Sequence, residues 1–280
     1  MAQSLGMNHV GPFTFQAVRC LLGGLLLIPI IAIADKFIYP ASAKGFFKRW
    51  CDRALWKAAV LCSIPLFIAV NLQQVGIIGT DAGKSAFLTA MYIVFVPILG
   101  ILRGQKPSKW IPASVLLGIV GLYFLSCAGV TSVALSDLLL LGCALGFAVQ
   151  IIFVDIFADR VDCLRLNCLN CFICAVLSGV VMLFAEKPTW DGIYQSFGSL
   201  AYAGFLSMGI AYSLQIIGQK DLPPATASLL MSMESVFAVL AGWIVLRQRL
   251  SSWESIGCIL VLAAVILSQL PEKETKNTST

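Results

Sequence analysis

The chain has 280 residues, of which 59% are apolar and only 12% charged, and its mean hydropathy is +0.91. This balance excludes a soluble globular domain, because such domains hold about 25% charged residues. The formal net charge of +5 does not indicate nucleic-acid binding, since the basic residues stand beside apolar runs rather than in one patch. The ten cysteines are dispersed, mostly inside apolar runs, and give no disulfide framework.

Apolar runs long enough to cross a bilayer, about 20 residues each, recur along nearly the whole chain. The nine candidate spans are Phe13 to Ala34, Ala54 to Ile78, Lys84 to Leu102, Trp110 to Ala128, Asp137 to Ala158, Leu164 to Ala185, Ile193 to Gly218, Ala225 to Leu246 and Trp253 to Leu270. Runs of this length span as helices, so the predicted fold class is all-α, a polytopic membrane helical bundle.

The loops between the spans give the predicted orientation. Basic residues concentrate in alternate connections, which include Arg103, Arg160 and Lys220. By the positive-inside rule those loops are cytoplasmic, which predicts a multi-pass protein of the cytoplasmic (inner) membrane with a cytoplasmic C-terminus. Arg247 and Arg249 lie on a loop that this pattern puts outside, against the rule.

An internal repeat is visible at an offset of 142 residues, where LQQVG at Leu72 superposes on LQIIG at Leu214. Further identical pairs at this offset are Leu88 and Leu230, Met91 and Met233, Val94 and Val236, Phe95 and Phe237, and Gly100 and Gly242. The matched helices are five spans apart, so the two copies cross the membrane in opposite senses. Inverted repeats with a site between them are a recurring plan of secondary transporters.

Three segments resemble the EamA-like branch of the drug/metabolite transporter superfamily: GPFTFQAVRCLLGGLLL at Gly11, AFLTAMYIVFVPILGIL at Ala86 and PPATASLLMSMESVFAVLAGWIVL at Pro223. The resemblance covers essentially the whole chain and is not specific for a solute. It implies ten helices in two inverted halves of five, a central cavity and cytoplasmic termini. Gln105 and Gln248 stand where the family usually has glutamate, which puts a charge role at those helix ends in doubt.

Nine of the ten helices that the resemblance implies are present, and most of the first helix is expected to be lacking. The predicted division is a remnant of that helix over 1–12, a first EamA-like repeat of four helices over 13–130, a second repeat of five helices over 135–270, and a disordered cytoplasmic tail over 271–280.

Glu234 is the leading candidate for a functional residue, because it places a carboxylate near the middle of a predicted span. Charged residues at that depth usually face a cavity or a partner. Glu234 is expected to bind a substrate ammonium group or a coupling proton; the alternative is a carboxyl group that holds helices together. Its repeat counterpart is Tyr92, whose aromatic face could also hold a cation.

Four amides within the spans, Asn71, Gln74, Gln150 and Gln215, are further candidates for substrate contacts. Amides in a bilayer also bond across helices for purely structural reasons, and both interpretations stay open. Arg19 either faces the mouth of the cavity or extends to the interface. Lys84, at a span end, is expected to extend to the interface as well.

These features predict a secondary transporter, a permease or exporter of a small organic solute such as a metabolite, an amino acid or a drug-like compound, working by alternating access between inverted repeats. The alternatives are a membrane-embedded enzyme and a non-transporting scaffold. We expect no catalytic residues, cofactor, metal site or nucleic-acid partner. The expected partners are the solute, the lipid bilayer and a coupling proton or sodium ion.

Overall fold

The computed structural model describes residues 7, 9–38, 46–78, 82–105, 108–126, 134–237, 252–268 and 270. Nearly all of these residues lie in helices, and no strand occurs among them. The helices are α1 (Pro12–Ile38), α2 (Phe46–Trp50), α3 (Arg53–Ile78), α4 (Ala82–Ala90), α5 (Tyr92–Leu102), α6 (Ile111–Ser126), α7 (Leu135–Phe157), α8 (Cys163–Ala185), α9 (Trp190–Gln195), α10 (Phe197–Ala201), a π-helix (Tyr202–Ala211), α11 (Tyr212–Gln219), α12 (Pro224–Met231), a helical turn over 233–237, and α13 (Ser252–Ser268).

Within the described residues, six helical stretches are long and apolar enough to cross a membrane: Pro12–Phe37, Arg53–Ile78, Lys84–Leu102, Leu135–Phe157, Cys163–Ala185 and Phe197–Gln219. Two shorter apolar helices, Ile111–Phe124 and Ser255–Ser268, match the fourth and ninth predicted spans. The eighth predicted span is described as far as residue 237, and the predicted tail, 271–280, lies outside the described residues. The prediction of an all-α polytopic membrane bundle is confirmed.

The helix α3 packs against α8 on one side and α7 on the other. It runs parallel to α8, because the Ser63 hydroxyl donates to Asn170 Oδ1 at 2.9 Å and Asn71 Nδ2 donates to Ser178 Oγ at 3.0 Å. It runs antiparallel to α7, where a Cβ atom at Gly146 would lie only 3.0 Å from the Ala69 Cβ. Small residues at such contacts let helix backbones approach closely in a bilayer.

The helix α1 packs against α8 and the π-helix, and α6 packs against α13. The approach of α1 to the π-helix requires glycine, since a Cβ at Gly204 would lie 2.8 Å from the Arg19 carbonyl oxygen. The π-helix carries backbone carbonyls out of the usual α-helical register. Asn167 on α8 satisfies one of these carbonyls, because its Nδ2 donates to the Met208 carbonyl at 2.9 Å. The same Nδ2 also donates to Ser213 Oγ, in α11, at 2.8 Å.

The two ends of the bundle differ in charge. Arg103, Arg160 and Lys220 lie at one end, which we call the basic end. There Arg103 forms an exposed ion pair of 3.5 Å with Asp155.

At the opposite end Lys84 forms an ion pair of 2.6 Å with Asp137, and both side chains are largely buried. The expectation that Lys84 extends to the interface is therefore wrong, because its ammonium group pairs with the Asp137 carboxylate at the start of α7. Glu186, which follows α8, accepts hydrogen bonds of 2.9 Å from the backbone amides of Phe13 and Thr14, and so caps α1.

Candidate functional site

The third and eighth spans, which the repeat relates to each other, are each interrupted near the middle by a tight turn of one residue, at which the backbone stays in the right-handed helical region. In the third span Met91 separates α4 from α5, and in the eighth Ser232 separates α12 from the turn over 233–237. The Met91 amide bonds to the Leu88 carbonyl at 3.2 Å, and the Ser232 amide bonds to both the Ser228 and the Leu229 carbonyls at 3.2 Å. These three-residue bonds tighten the helix locally, and mid-helix stretches of this kind often mark functional hinges. An offset of 142 residues places Met91 opposite Met233, within one residue of the second break.

The two interrupted spans lie side by side and run antiparallel. Ile93 and Leu229 meet at Gly118, where a Cβ atom would be 3.3 Å from each of them. One turn further along, Pro97 and Ala225 line the same cavity. In secondary transporters, substrate and ion sites commonly lie near the midplane at the interface between the repeats.

Tyr92 directly follows the first of these turns, and Glu234 lies two residues after the second. Glu234 lies ten residues after Pro224, about 15 Å along the helix and so near the middle of a hydrocarbon core of about 30 Å. Tyr92 is 7% exposed and packs in an apolar cluster with Ile93 and Ala144. The Glu234 side chain is exposed, yet its carboxylate lies within electrostatic range of the Tyr92 phenol.

A cavity of about 850 Å³ opens at the basic end of the bundle. Its walls come from the ends of α5 and α7, the loop before α12, and the start of α6. Val96, one turn beyond Tyr92, and Thr226, two turns before Glu234, mark its inner part. The cavity therefore leads from the basic end toward the level of Tyr92. Gln105, the position that departs from the family pattern, also lines it, and Gln248 lies outside the described residues.

The predicted amides divide into two groups. Asn71 is bonded, since its Nδ2 donates both to Ser178 Oγ and to the Phe67 carbonyl at 2.8 Å. Gln74 and Gln150 are fully buried, and neither amide atom of either residue has a hydrogen-bond partner among the described residues. Gln215 Nε2 is likewise buried without a partner there. An unpaired buried polar group costs about 1–3 kcal/mol, so these amides are groups that a ligand could satisfy.

Gln150 shares a helix face with Cys143, which lies two turns earlier on α7. Ile151 and Ile152, the next residues on α7, belong to the same apolar cluster as Tyr92. Gln150 lies about 10 Å from the level of Cys143 toward the basic end.

Arg19 lies apart from this region, in a buried cluster where α1, α8 and α11 meet. It is 2% exposed, and its charge acts on Tyr212 and on Cys171. Cys171 and its neighbours on α8 contact backbone carbonyls, as Cys168 Sγ does with Gly24 at 3.5 Å. Among the described residues, no group of histidine, cysteine and carboxylate side chains could hold a metal ion.

Taken together, the fold and these buried polar residues define a multi-pass helical membrane protein with a polar region between two interrupted spans. A model of the EamA-like transporter family matches the chain twice, over residues 1–127 and 134–270. The chain therefore belongs to the EamA-like transporter family, and the resemblance of the three segments is confirmed.

Known relatives agree with this assignment. The chain is 27% identical over 267 residues to an uncharacterized transporter of Archaeoglobus fulgidus, across 95% of this chain and 79% of that protein. It is 20% identical to the uncharacterized transporter YoaV of Bacillus subtilis, across 96% of this chain and 90% of that protein. One solved crystal structure superposes with a TM-score of 0.73 at 19% identity, covering 95% of this chain and 91% of the other, and supports the fold alone.

The interruptions at Met91 and Ser232 are the features of the site that the sequence did not predict. Neither position is a proline or a glycine, the residues that usually break or kink a helix. The repeat pointed to Tyr92 and Glu234 as a pair, but no periodicity in the sequence indicated that both helices are interrupted beside them.

Proposed function

We propose that this protein is a secondary carrier that moves a small organic solute across the membrane by alternating access between its two repeats. The observation that carries the proposal is the pair of antiparallel spans, related by the repeat, each with a tight turn beside a candidate side chain, Tyr92 in one and Glu234 in the other. This arrangement supports a polar site near the midplane, with a hinge in each repeat at a similar depth.

Glu234 supplies the charge of the site. A carboxylate facing acyl chains at mid-span would cost from about 3 to more than 10 kcal/mol, so its exposed side is expected to border water or solute. There it binds an ammonium group of the solute or carries a coupling proton, and a sodium ion is the other candidate for coupling. Tyr92 offers an aromatic face to the same cation, and Gln150 offers an amide toward the basic end.

Access to the site alternates between the two ends of the bundle. In this conformation the cavity of about 850 Å³ opens at the basic end, whereas the Lys84–Asp137 pair and the Glu186 cap join the repeats at the opposite end. Rocking of the repeats about the breaks at Met91 and Ser232 would close the first end and separate the second.

The proposed location is the cytoplasmic (inner) membrane, with the basic end and the C-terminus in the cytoplasm. The support is the concentration of Arg103, Arg160 and Lys220 at one end of the bundle, as the positive-inside rule requires. With that orientation, the cavity faces the cytoplasm and the carrier in this conformation accepts solute for export.

A flux panel in proteoliposomes tests the proposal, with candidate metabolites, amino acids and drug-like cations offered under proton and sodium gradients that are varied separately. Glu234→Gln should lower the flux of the transported solute by at least about tenfold, as expected for one lost charge-assisted contact, without changing the amount of folded protein. Asp191→Asn, a matched change at an exposed carboxylate in α9, should leave flux unchanged. Equal flux in wild type and Glu234→Gln would remove Glu234 from the mechanism, and the absence of counterflow for every solute would favour the enzyme or scaffold alternatives.

A further inference from the structure

A second pocket, of about 730 Å³, opens at the basic end of the bundle. Its lining comes from α2, the start of α3, the connection from α7 to the first turn of α8, and Lys220, which directly follows α11. Lys220 also lines the cavity of about 850 Å³, so the two spaces are neighbours. The volume of the second pocket is within the range of about 300–1,000 Å³ that ligand sites in proteins usually have.

The second pocket lies at the level where the membrane spans end. Asp52, in its lining, directly precedes the span Arg53–Ile78, and Lys220 directly follows the span Phe197–Gln219. The lining residues 159–162 lie in the connection between α7 and α8. In a bilayer this level is occupied by the lipid headgroups, which flank the hydrocarbon core.

An exposed tryptophan places the second pocket beside lipid. Trp56 is 47% exposed and shares one face of α3 with three exposed apolar side chains, Val60, Ile64 and Ile68. Its Nε1 donates to the Trp50 carbonyl at 2.8 Å, and Trp50 lies between two residues that line the pocket. Tryptophans are enriched where a span meets the headgroups. The apolar face of α3 therefore borders lipid at the wall of the pocket.

The lining of the second pocket is positively charged. Among the described residues that line it, five are basic and three are acidic, a net charge of +2. Two of the basic residues, Arg49 and Arg165, both pair with Asp35. Arg165 also forms an ion pair of 2.8 Å with Asp162 in the lining. These two arginines are thus held by carboxylates of the protein.

The other three basic side chains of the lining are Lys48, Arg160 and Lys220. All three are exposed, and none of them takes part in an ion pair within the described part of the chain. They come from three separate segments, yet they line one pocket. Cations that converge in this way favour a ligand with several acceptor oxygens, as a phosphate group has.

We propose that the second pocket binds the phosphate group of an anionic lipid headgroup in the leaflet at the basic end. Basic pockets between membrane helices bind such headgroups, because the phosphate finds its counter-charge at the level where the lipid already lies. Free phosphate has the same chemistry, but the position between the span ends and beside Trp56 favours the lipid. Binding here requires no transport, so the inference does not depend on the proposed carrier function.

Native mass spectrometry of the full chain in detergent tests the proposal. The anionic probe is phosphatidylglycerol, and the comparison lipid is phosphatidylcholine, whose headgroup is neutral overall. Each basic side chain near an anionic lipid contributes about fivefold in affinity. Wild type should therefore bind one phosphatidylglycerol at least about tenfold more tightly than phosphatidylcholine.

Substitutions in the lining should change this affinity in both directions. Arg160→Gln and Lys220→Gln, at exposed positions, should each weaken phosphatidylglycerol binding about fivefold. Asp159→Asn removes an exposed lining carboxylate and should strengthen binding, an effect that a purely structural role would not produce. The matched control is Lys57→Gln, at an exposed lysine of α3 outside the lining, and it should bind as wild type does.

The outcomes separate a lipid site from its alternatives. Equal affinity of wild type for the two lipids, or an equal loss in Lys57→Gln and Arg160→Gln, would overturn the proposal, because general surface charge would then explain the binding. Inorganic phosphate that binds saturably to wild type but not to Arg160→Gln, without any preference for phosphatidylglycerol, would assign the pocket to free phosphate and overturn the lipid source. A loss of flux in Glu234→Gln with unchanged phosphatidylglycerol binding would keep the two proposals separate.

Discussion

Two sets of buried amides in the same bundle differ in whether they are hydrogen-bonded. Asn71 lies in a seam between α3 and α8 where each side chain bonds across the helices, from Asn71 to Ser178 and from Ser63 to Asn170. Gln74 follows Asn71 on α3 by less than one turn, yet neither of its amide atoms finds a partner among the described residues. Residue type and depth in the membrane therefore do not distinguish a structural amide from a candidate substrate contact. The presence of a hydrogen-bond partner does.

The seam and the unpaired amides also differ in what they do for the protein. A satisfied amide holds two helices in one register, which is the ordinary structural use of polar groups in lipid. An unsatisfied buried amide lowers stability by about 1–3 kcal/mol, and a bound solute can recover that energy. Substitutions in the seam should change stability, whereas substitutions of Gln150 should change transport.

The largest effect is expected for Asn71→Leu, which breaks the seam. It removes the bonds to Ser178 and to the Phe67 carbonyl and should lower the free energy of unfolding by about 1–3 kcal/mol. Flux per folded molecule should stay near that of wild type. Thermal unfolding in detergent and flux normalised to folded protein measure the two quantities, and Ser178→Ala in the Asn71→Leu background should cost little more, since the hydrogen bonds between the two residues are already lost.

Gln150→Leu is expected to change stability less than Asn71→Leu does and, unlike Asn71→Leu, to impair transport. Replacing an unpaired amide by an apolar group of similar size should leave stability unchanged or raise it by up to about 1 kcal/mol. The concentration of solute needed for half-maximal flux should rise. Gln195→Leu, at an exposed glutamine of α9, is the matched control. A marked loss of stability with normal flux would place Gln150 with the seam instead.

The sequence predicted the spans well because apolar length alone determines them, and the repeat, which survives as identical residues, relates Tyr92 to Glu234. It could not separate Asn71 from Gln74, since the partner of Asn71, Ser178, is 107 residues away on another helix, and nothing in the sequence shows that Gln74 has no partner among the described residues. The ion pair of Lys84 with Asp137 escaped prediction for the same reason.

Local irregularities of the helices were not predicted from the sequence either. The residues of the π-helix, Tyr202–Ala211, carry no proline, and its stabilisation by Asn167 is a contact between spans. The turns at Met91 and Ser232 carry neither proline nor glycine, so nothing in the sequence of either span indicated them.

Reaction of Glu234 with a hydrophobic carbodiimide, followed by intact-mass spectrometry, tests most directly whether this carboxylate lies in the solute site. Wild type should gain one adduct that Glu234→Gln lacks, and the solute identified in the flux panel should slow the reaction at the concentrations that saturate flux. A reaction rate that the solute leaves unchanged would contradict a site between the two interrupted spans.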